Sequence, residues 1–269
     1  MKQSFFFFLL LLATTQTFGQ TVTRQPLVIG ETISLHSEIL QEDRKVNIYL
    51  PNTFDASKAY PVIYLLDGGL DEDFVHISGL VQFFNLQFAM PDMIIVGIVN
   101  VDRKRDFTFP TDIKKLKKDV PTSGHSAEFI QFLESELQPF IQTTYKTSAI
   151  SYLIGQSLGG LLATEILLKK PELFTHYLIV SPSLWWDDES LLKEANSLVS
   201  KQNYQNKYIY ISVGEKEHAT MKKEAKELYQ LMKNSNTKVD FNLMVDENHA
   251  TILHNSIYEA FLKLFPYKE

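Results

Sequence analysis

Downstream of residue 20, apolar and polar positions alternate through Leu27, Ile29, Ile33 and Leu35, the period of two that predicts strands at a sheet edge. The pattern then changes to short, nearly continuous apolar runs over residues 46–50, 62–66, 93–99, 152–154, 177–180, 208–213 and 239–245. Strands apolar on both faces are what a parallel sheet covered by helices requires. Between these runs the period lengthens. Phe129, Phe132, Leu133, Leu137, Phe140 and Ile141 fall at i, i+3, i+4 spacing and predict a helix, with Pro139 expected to bend or shorten it. Further helices are predicted over about 160–170, around Met221, Ala225, Leu228 and Met232, and over 256–264. Strands alternating with helices predict a doubly wound α/β sheet, mostly parallel, with helices on both faces. No internal repeat and no Gly/Ser/Pro linker divides the chain, so residues 20–269 are expected to form one domain.

The first residues depart from this pattern. Lys2, an apolar run over 5–13 and small or polar residues up to Gly19 read as a secretory signal peptide over residues 1–19. The run is about half the length that spans a bilayer, so the expected product is secreted or periplasmic and has no membrane span. A formal charge of -6 over 269 residues of which 45% are hydrophobic excludes a disordered chain. The pI near 5.7 argues against a nucleic-acid partner, because tracking phosphates needs a basic face. The lysines over 114–118 read as a solvated face. Zero cysteine removes thiolate metal sites and thiol nucleophiles, so a nucleophile must be a hydroxyl, carboxylate or amine.

That search ends at Gly155-Gln156-Ser157-Leu158-Gly159, placed between an apolar strand and a helix-forming stretch. The arrangement is a nucleophile elbow: a strained strand-to-helix turn that projects Ser157 while the following helix directs N–H groups toward developing negative charge. A serine hydroxyl needs a base, usually a histidine oriented by a carboxylate. Four histidines follow Ser157, at 176, 218, 249 and 254. His249 lies directly after one predicted strand and before the last helix, where the serine–acid–histidine order puts the base; His254 is the competitor. The strand ending at Val213 runs into Gly214-Glu215-Lys216-Glu217, which makes Glu217 the leading acid, with Glu215 and Asp246 as alternatives. Oxyanion donors are expected from the Leu158 N–H and from Gly68 or Gly69, where an apolar strand opens into glycines.

These stretches resemble the esterase branch of the α/β-hydrolases that includes siderophore (catecholate trilactone) esterases, esterase D-like enzymes and secreted feruloyl and acetyl-xylan esterases. The resemblance runs through residues 61–68, Arg105-Asp106-Phe107-Thr108, 129–145, 153–160, 174–186 and 249–261, most of the chain after the signal. It implies the α/β-hydrolase fold, a serine esterase acting on a small-molecule ester without a cofactor, and roles for Ser157 as nucleophile, His249 as base and Glu217 as acid. Gln156 stands where relatives often have histidine, and glutamate replaces the commoner aspartate. For substrate contacts the candidates are Arg105, with Arg103 beside it, and Trp185 and Trp186 after a strand on the Ser157 edge of the sheet. Arg103 and Arg105 are equally readable as partners of Asp102 or Asp106. No HExxH metal motif and no GxGxxG fingerprint is present. The other functional readings of this pattern are an acyltransferase and a secreted binding protein with an idle site.

Overall fold

The computed structural model describes residues 22–88 and 90–267; the expected signal peptide lies outside them. Among the described residues one eight-stranded sheet has the order β1-β2-β4-β3-β5-β6-β7-β8. The strands are β1 (Glu31–Ser37), β2 (Glu42–Tyr49), β3 (Tyr60–Leu65), β4 (Ile94–Ile98), β5 (Thr147–Gln156), β6 (His176–Val180), β7 (Tyr208–Gly214) and β8 (Lys238–Met244). The helices are α1 (Phe74–Gln87), α2 (Arg103–Asp106), α3 (Lys114–Asp119), α4 (Ser126–Phe132), α5 (Gln138–Thr144), α6 (Leu158–Lys169), α7 (Ser190–Val199), α8 (Ala219–Lys233) and α9 (Ile252–Leu264). Strands β3 to β8 run parallel, whereas β2 is antiparallel to both β1 and β4.

The period of two sorts the central strands onto two cores. Val62, Tyr64, Leu153, Tyr177, Ile179, Ile209 and Ile211 pack toward α4, α5, α6 and α8. Their neighbours Ile63, Leu65, Tyr152, Ile154, Leu178, Val180 and Tyr210 pack toward α1 and α9. This explains why the central runs are apolar throughout: over β3, β4 and β7 neither face of the sheet meets water, whereas β8 at the edge is only partly covered. Helix α6 is buried from Gly159 to Leu168, with Thr164 and Glu165 the two polar residues in an otherwise apolar run.

Three expectations are modified. Leu27 and Ile29 precede β1 and are exposed, so the alternating segment forms a strand only from Glu31. Around Pro139 the helix continues as α4, a π-helical turn over Leu133–Leu137 and α5. Proline supplies no N–H, and the widened turn, with Gln138 N–H donating to the Leu133 carbonyl, accommodates it without a break. The predicted fourth helix begins four residues earlier, at Ile252. The lysine-rich stretch is α3, which buries no residue.

Candidate active site

The parallel strands deliver their C-terminal ends to one edge, and the candidate residues collect there. Ser157 follows β5 directly, with φ 60° and ψ −119°, the left-handed strain expected of an elbow. Its N–H donates to the Val180 carbonyl at 3.1 Å, and its own carbonyl accepts from Leu161 and Ser183, which pins the turn between β6 and α6. A Cβ on Gly155 would sit 2.4 Å from the Gly159 carbonyl oxygen, so only glycine permits strand and helix to approach this closely.

Two strands away, β7 ends at Gly214 and turns back, putting the Glu217 carboxylate under the loop after β8. His249 Nδ1 donates to Glu217 Oε2 at 2.8 Å, and the Glu217 side chain is fully buried. A carboxylate only accepts, so Nδ1 carries the proton and Nε2 is left as the acceptor a base needs. The second oxygen, Oε1, accepts from the Ser181 hydroxyl at 2.5 Å and the Gly214 N–H at 2.8 Å. Burial pushes this carboxyl upward, but the donors from His249, Ser181 and Gly214 outweigh it and hold Glu217 below the ordinary carboxylate range. Glu215 pairs with Lys222, and Asp246 is exposed beside Lys216, so neither of the alternative acids faces the His249 ring. His254 meets His76 instead, Nδ1 to Nδ1 at 3.3 Å.

Ser157 Oγ lies 3.4 Å from Ser183 Oγ and has no hydrogen bond to the His249 ring. Such contacts commonly close only around the substrate. What links the two loops is Gln156, whose Nε2 donates to the His249 carbonyl at 2.5 Å.

The oxyanion expectation needs correction at its second donor. Gly68 N–H is bonded to the Ile98 carbonyl and Gly69 N–H to Glu72 Oε2, both at 2.9 Å, so both glycine donors are occupied. Leu158 N–H, at the start of α6, has no acceptor among the described residues. The loop after β3 is braced by Asp67, which receives Arg103 Nε at 2.6 Å and Nη2 at 2.9 Å, together with Asn100 Nδ2 at 2.7 Å.

Residues 37–257 match the family described as "Putative esterase". The chain belongs to this esterase family. The ferri-bacillibactin esterase BesA of Bacillus subtilis (strain 168) is 32% identical over 242 residues, covering 79% of this chain and 82% of that one. An IroE-like serine hydrolase from Shewanella oneidensis superposes with a TM-score of 0.80 at 29% identity, over 88% of this chain and 80% of its own. The BES protein from Bacillus cereus gives 0.78 at 27% identity, over 90% and 97%. The esterase is thus a carboxylic ester hydrolase with an α/β-hydrolase fold, as the sequence pattern led one to expect.

Among the substrate-contact candidates the esterase separates near neighbours. Arg105 is tied to Glu42 by both terminal nitrogens and to Asp106 through Nε, so its charge is already matched by protein carboxylates. Trp186 is 1% exposed and donates Nε1–H to the Phe109 carbonyl at 2.9 Å, which makes it a core residue. Trp185 is 40% exposed and remains available to a ligand. Sequence reasoning did not single out Ser181, Ser183, Asp67 or Asn100 for this site; their one readable signal is their place just after strands β6, β3 and β4. Among the described residues no group of three or more His, Asp or Glu is placed to hold a metal ion, and no helix is long and apolar enough to cross a membrane.

Proposed function

We propose that the esterase hydrolyses the ester bonds of a siderophore trilactone, through an acyl-enzyme on Ser157 with His249 as base and Glu217 orienting it. The observation that carries the chemistry is the buried Glu217 carboxylate 2.8 Å from His249 Nδ1, in a loop tied through Gln156 to a serine held at positive φ. His249 Nε2 takes the Ser157 proton as Oγ attacks the ester carbonyl. The oxyanion is met by the Leu158 N–H and the positive end of α6. His249 then protonates the departing alkoxide, and water repeats the sequence on the acyl-enzyme.

Two observations favour a bulky substrate of this class. The relative from Bacillus subtilis, similar along most of both chains, is named for ferri-bacillibactin. The His249 side chain is 42% exposed and Trp185, on the same edge of the sheet, is 40% exposed. The reactive edge is thus open, and an open edge suits a macrocycle that a deep slot would exclude. Residues 1–19 are read as the export signal for residues 20–269, which act as one domain outside the cytoplasm.

The test is a substrate panel for the chain beginning at Gln20: iron-loaded and iron-free catecholate trilactone, p-nitrophenyl acetate and butyrate, feruloylated sugar and acetylated sugar. The trilactone is expected to give the highest kcat/KM, and Ser157→Ala to abolish turnover. A trilactone left intact while a sugar ester is cleaved rapidly overturns the substrate assignment. Expression of the full chain, followed by N-terminal sequencing of the exported product, tests the leader.

A further inference from the structure

Gln156 ends β5, and the period of two places its side chain on the same face as Tyr152 and Ile154, which pack toward α9. The loop leading into α9 crosses there. That loop is poorly covered: Val245, Asp246, Asn248 and Ala250 are all exposed, and the His249 side chain is 42% exposed. Its ring is held by one hydrogen bond, at Nδ1. One contact fixes a distance but leaves the ring free to swing about it, so the direction of Nε2 depends on where the His249 backbone sits.

We propose that Gln156 is a positioning residue for the base, its amide tying the His249 carbonyl to the nucleophile elbow so that Nε2 and Ser157 Oγ stay in register. The inference rests on the Ser157–His249–Glu217 reading above. A carbonyl only accepts, so the Gln156 amide nitrogen must face it, and the 2.5 Å separation spans 93 residues of sequence. The other side of the residue is also anchored: the Gln156 carbonyl accepts from Arg103 Nη2 at 3.2 Å, and the same guanidinium clamps Asp67. The anchor therefore runs from the loop after β3, through Arg103, to the residue before the nucleophile and on to the base. Because the His249 loop is exposed, water can replace the lost donor, so breaking this bond changes position much more than stability.

The experiment compares Gln156→Met, which keeps the volume and loses the donor, with Gln156→Glu, which keeps the shape and sets an acceptor against the carbonyl. Ser157→Ala is run in parallel on a p-nitrophenyl ester. Displacing a catalytic group by about 1 Å costs about 100-fold, so Gln156→Met is expected to lose about 10–100-fold in kcat, with KM within about twofold and an unchanged melting temperature. Gln156→Glu is expected to lose at least as much above pH 7. Wild-type kcat in Gln156→Met, or a loss that appears only as raised KM and a lower melting temperature, overturns the positioning role. If Ser157→Ala is inert while Gln156→Met is fully active, the inference alone falls; if Ser157→Ala still turns over, the site assignment falls with it.

Discussion

Glu217 and His249 are joined by a 2.8 Å hydrogen bond in which the carboxylate is fully buried and the imidazole is not. The asymmetry suits a base that must meet a substrate at one nitrogen while being held at the other. Burying a carboxylate is costly unless it is hydrogen-bonded, and Ser181 and Gly214 supply the donors that His249 alone does not.

Glu217→Gln keeps this shape and removes the charge. The amide cannot favour the imidazolium that forms as Ser157 is deprotonated, and its NH₂ face selects the wrong tautomer. A kcat loss on the order of 10³–10⁴-fold is expected, with KM little changed. Steady-state kinetics on p-nitrophenyl butyrate check it, and a loss under about threefold would return the acid role to another group.

The same carboxylate has a pH signature in stability. Its folded-state pKa is lower than the usual 4.5, because donors from His249, Ser181 and Gly214 outweigh the opposing effect of burial. A depressed acid contributes stability above its unfolded pKa and loses it as pH falls through the folded value. The melting-temperature difference between wild type and Glu217→Gln should therefore shrink as pH drops below about 4.5, which a thermal-shift series from pH 3 to 7 reads directly.

The elbow was legible because its cause is local: an apolar strand, glycines flanking Ser157 and an apolar helix occupy adjacent residues. Glu217 and His249 were legible for a related reason, since each follows a strand whose apolar run marks where the sheet edge lies. Helix α1 was not, because Val75, Phe83 and Leu86 are exposed while Ile77, Val81 and Phe84 are buried, so its apolar residues do not mark one face. The engagement of Gly68 by Ile98 and of Gly69 by Glu72 depends on a strand brought alongside and on a side-chain rotamer, neither of which has a sequence period. Trp185 and Trp186 are adjacent, yet one is core and the other surface, a distinction set by the turn that carries them.

That difference is measurable. Trp186→Phe leaves the Phe109 carbonyl buried without its donor, at a cost of about 1–3 kcal/mol in chemical denaturation. Trp185→Ala should stay within about 0.5 kcal/mol of wild type. Any fall in its kcat/KM on an aromatic acyl ester, set against an unchanged value on acetate, then reports contact with substrate.

Gly214 controls the approach of the base loop. A Cβ there would stand 2.4 Å from the Glu247 carbonyl oxygen and 3.1 Å from Glu217 Oε1. In Gly214→Ala the backbone two residues before His249 must move, so kcat should fall by about 100-fold or more while the protein still folds. Circular dichroism together with kinetics separates this from unfolding, and wild-type kcat would show that the loop relaxes without disturbing His249.

One group whose titration is coupled to folding lies away from the reaction. Glu224 on α8 is fully buried, and neither of its carboxyl oxygens has a hydrogen-bond partner that can donate. Burial, reinforced by the neighbouring Glu189 carboxylate, raises its pKa to about 8. The folded chain therefore holds a proton that the unfolded chain releases near 4.5. An acid with a raised pKa contributes its full stability below the unfolded value and loses it as pH rises through the folded one, so the loss spans about pH 4.5 to 8. Gln at this position is neutral throughout and keeps an N–H donor for Glu189. Glu224→Gln should accordingly match wild type near pH 5 and melt a few degrees higher at pH 8, with kcat unaltered. Scanning calorimetry at pH 5, 6.5 and 8 measures the gap; if it stays constant across that range, Glu224 does not carry the buried proton.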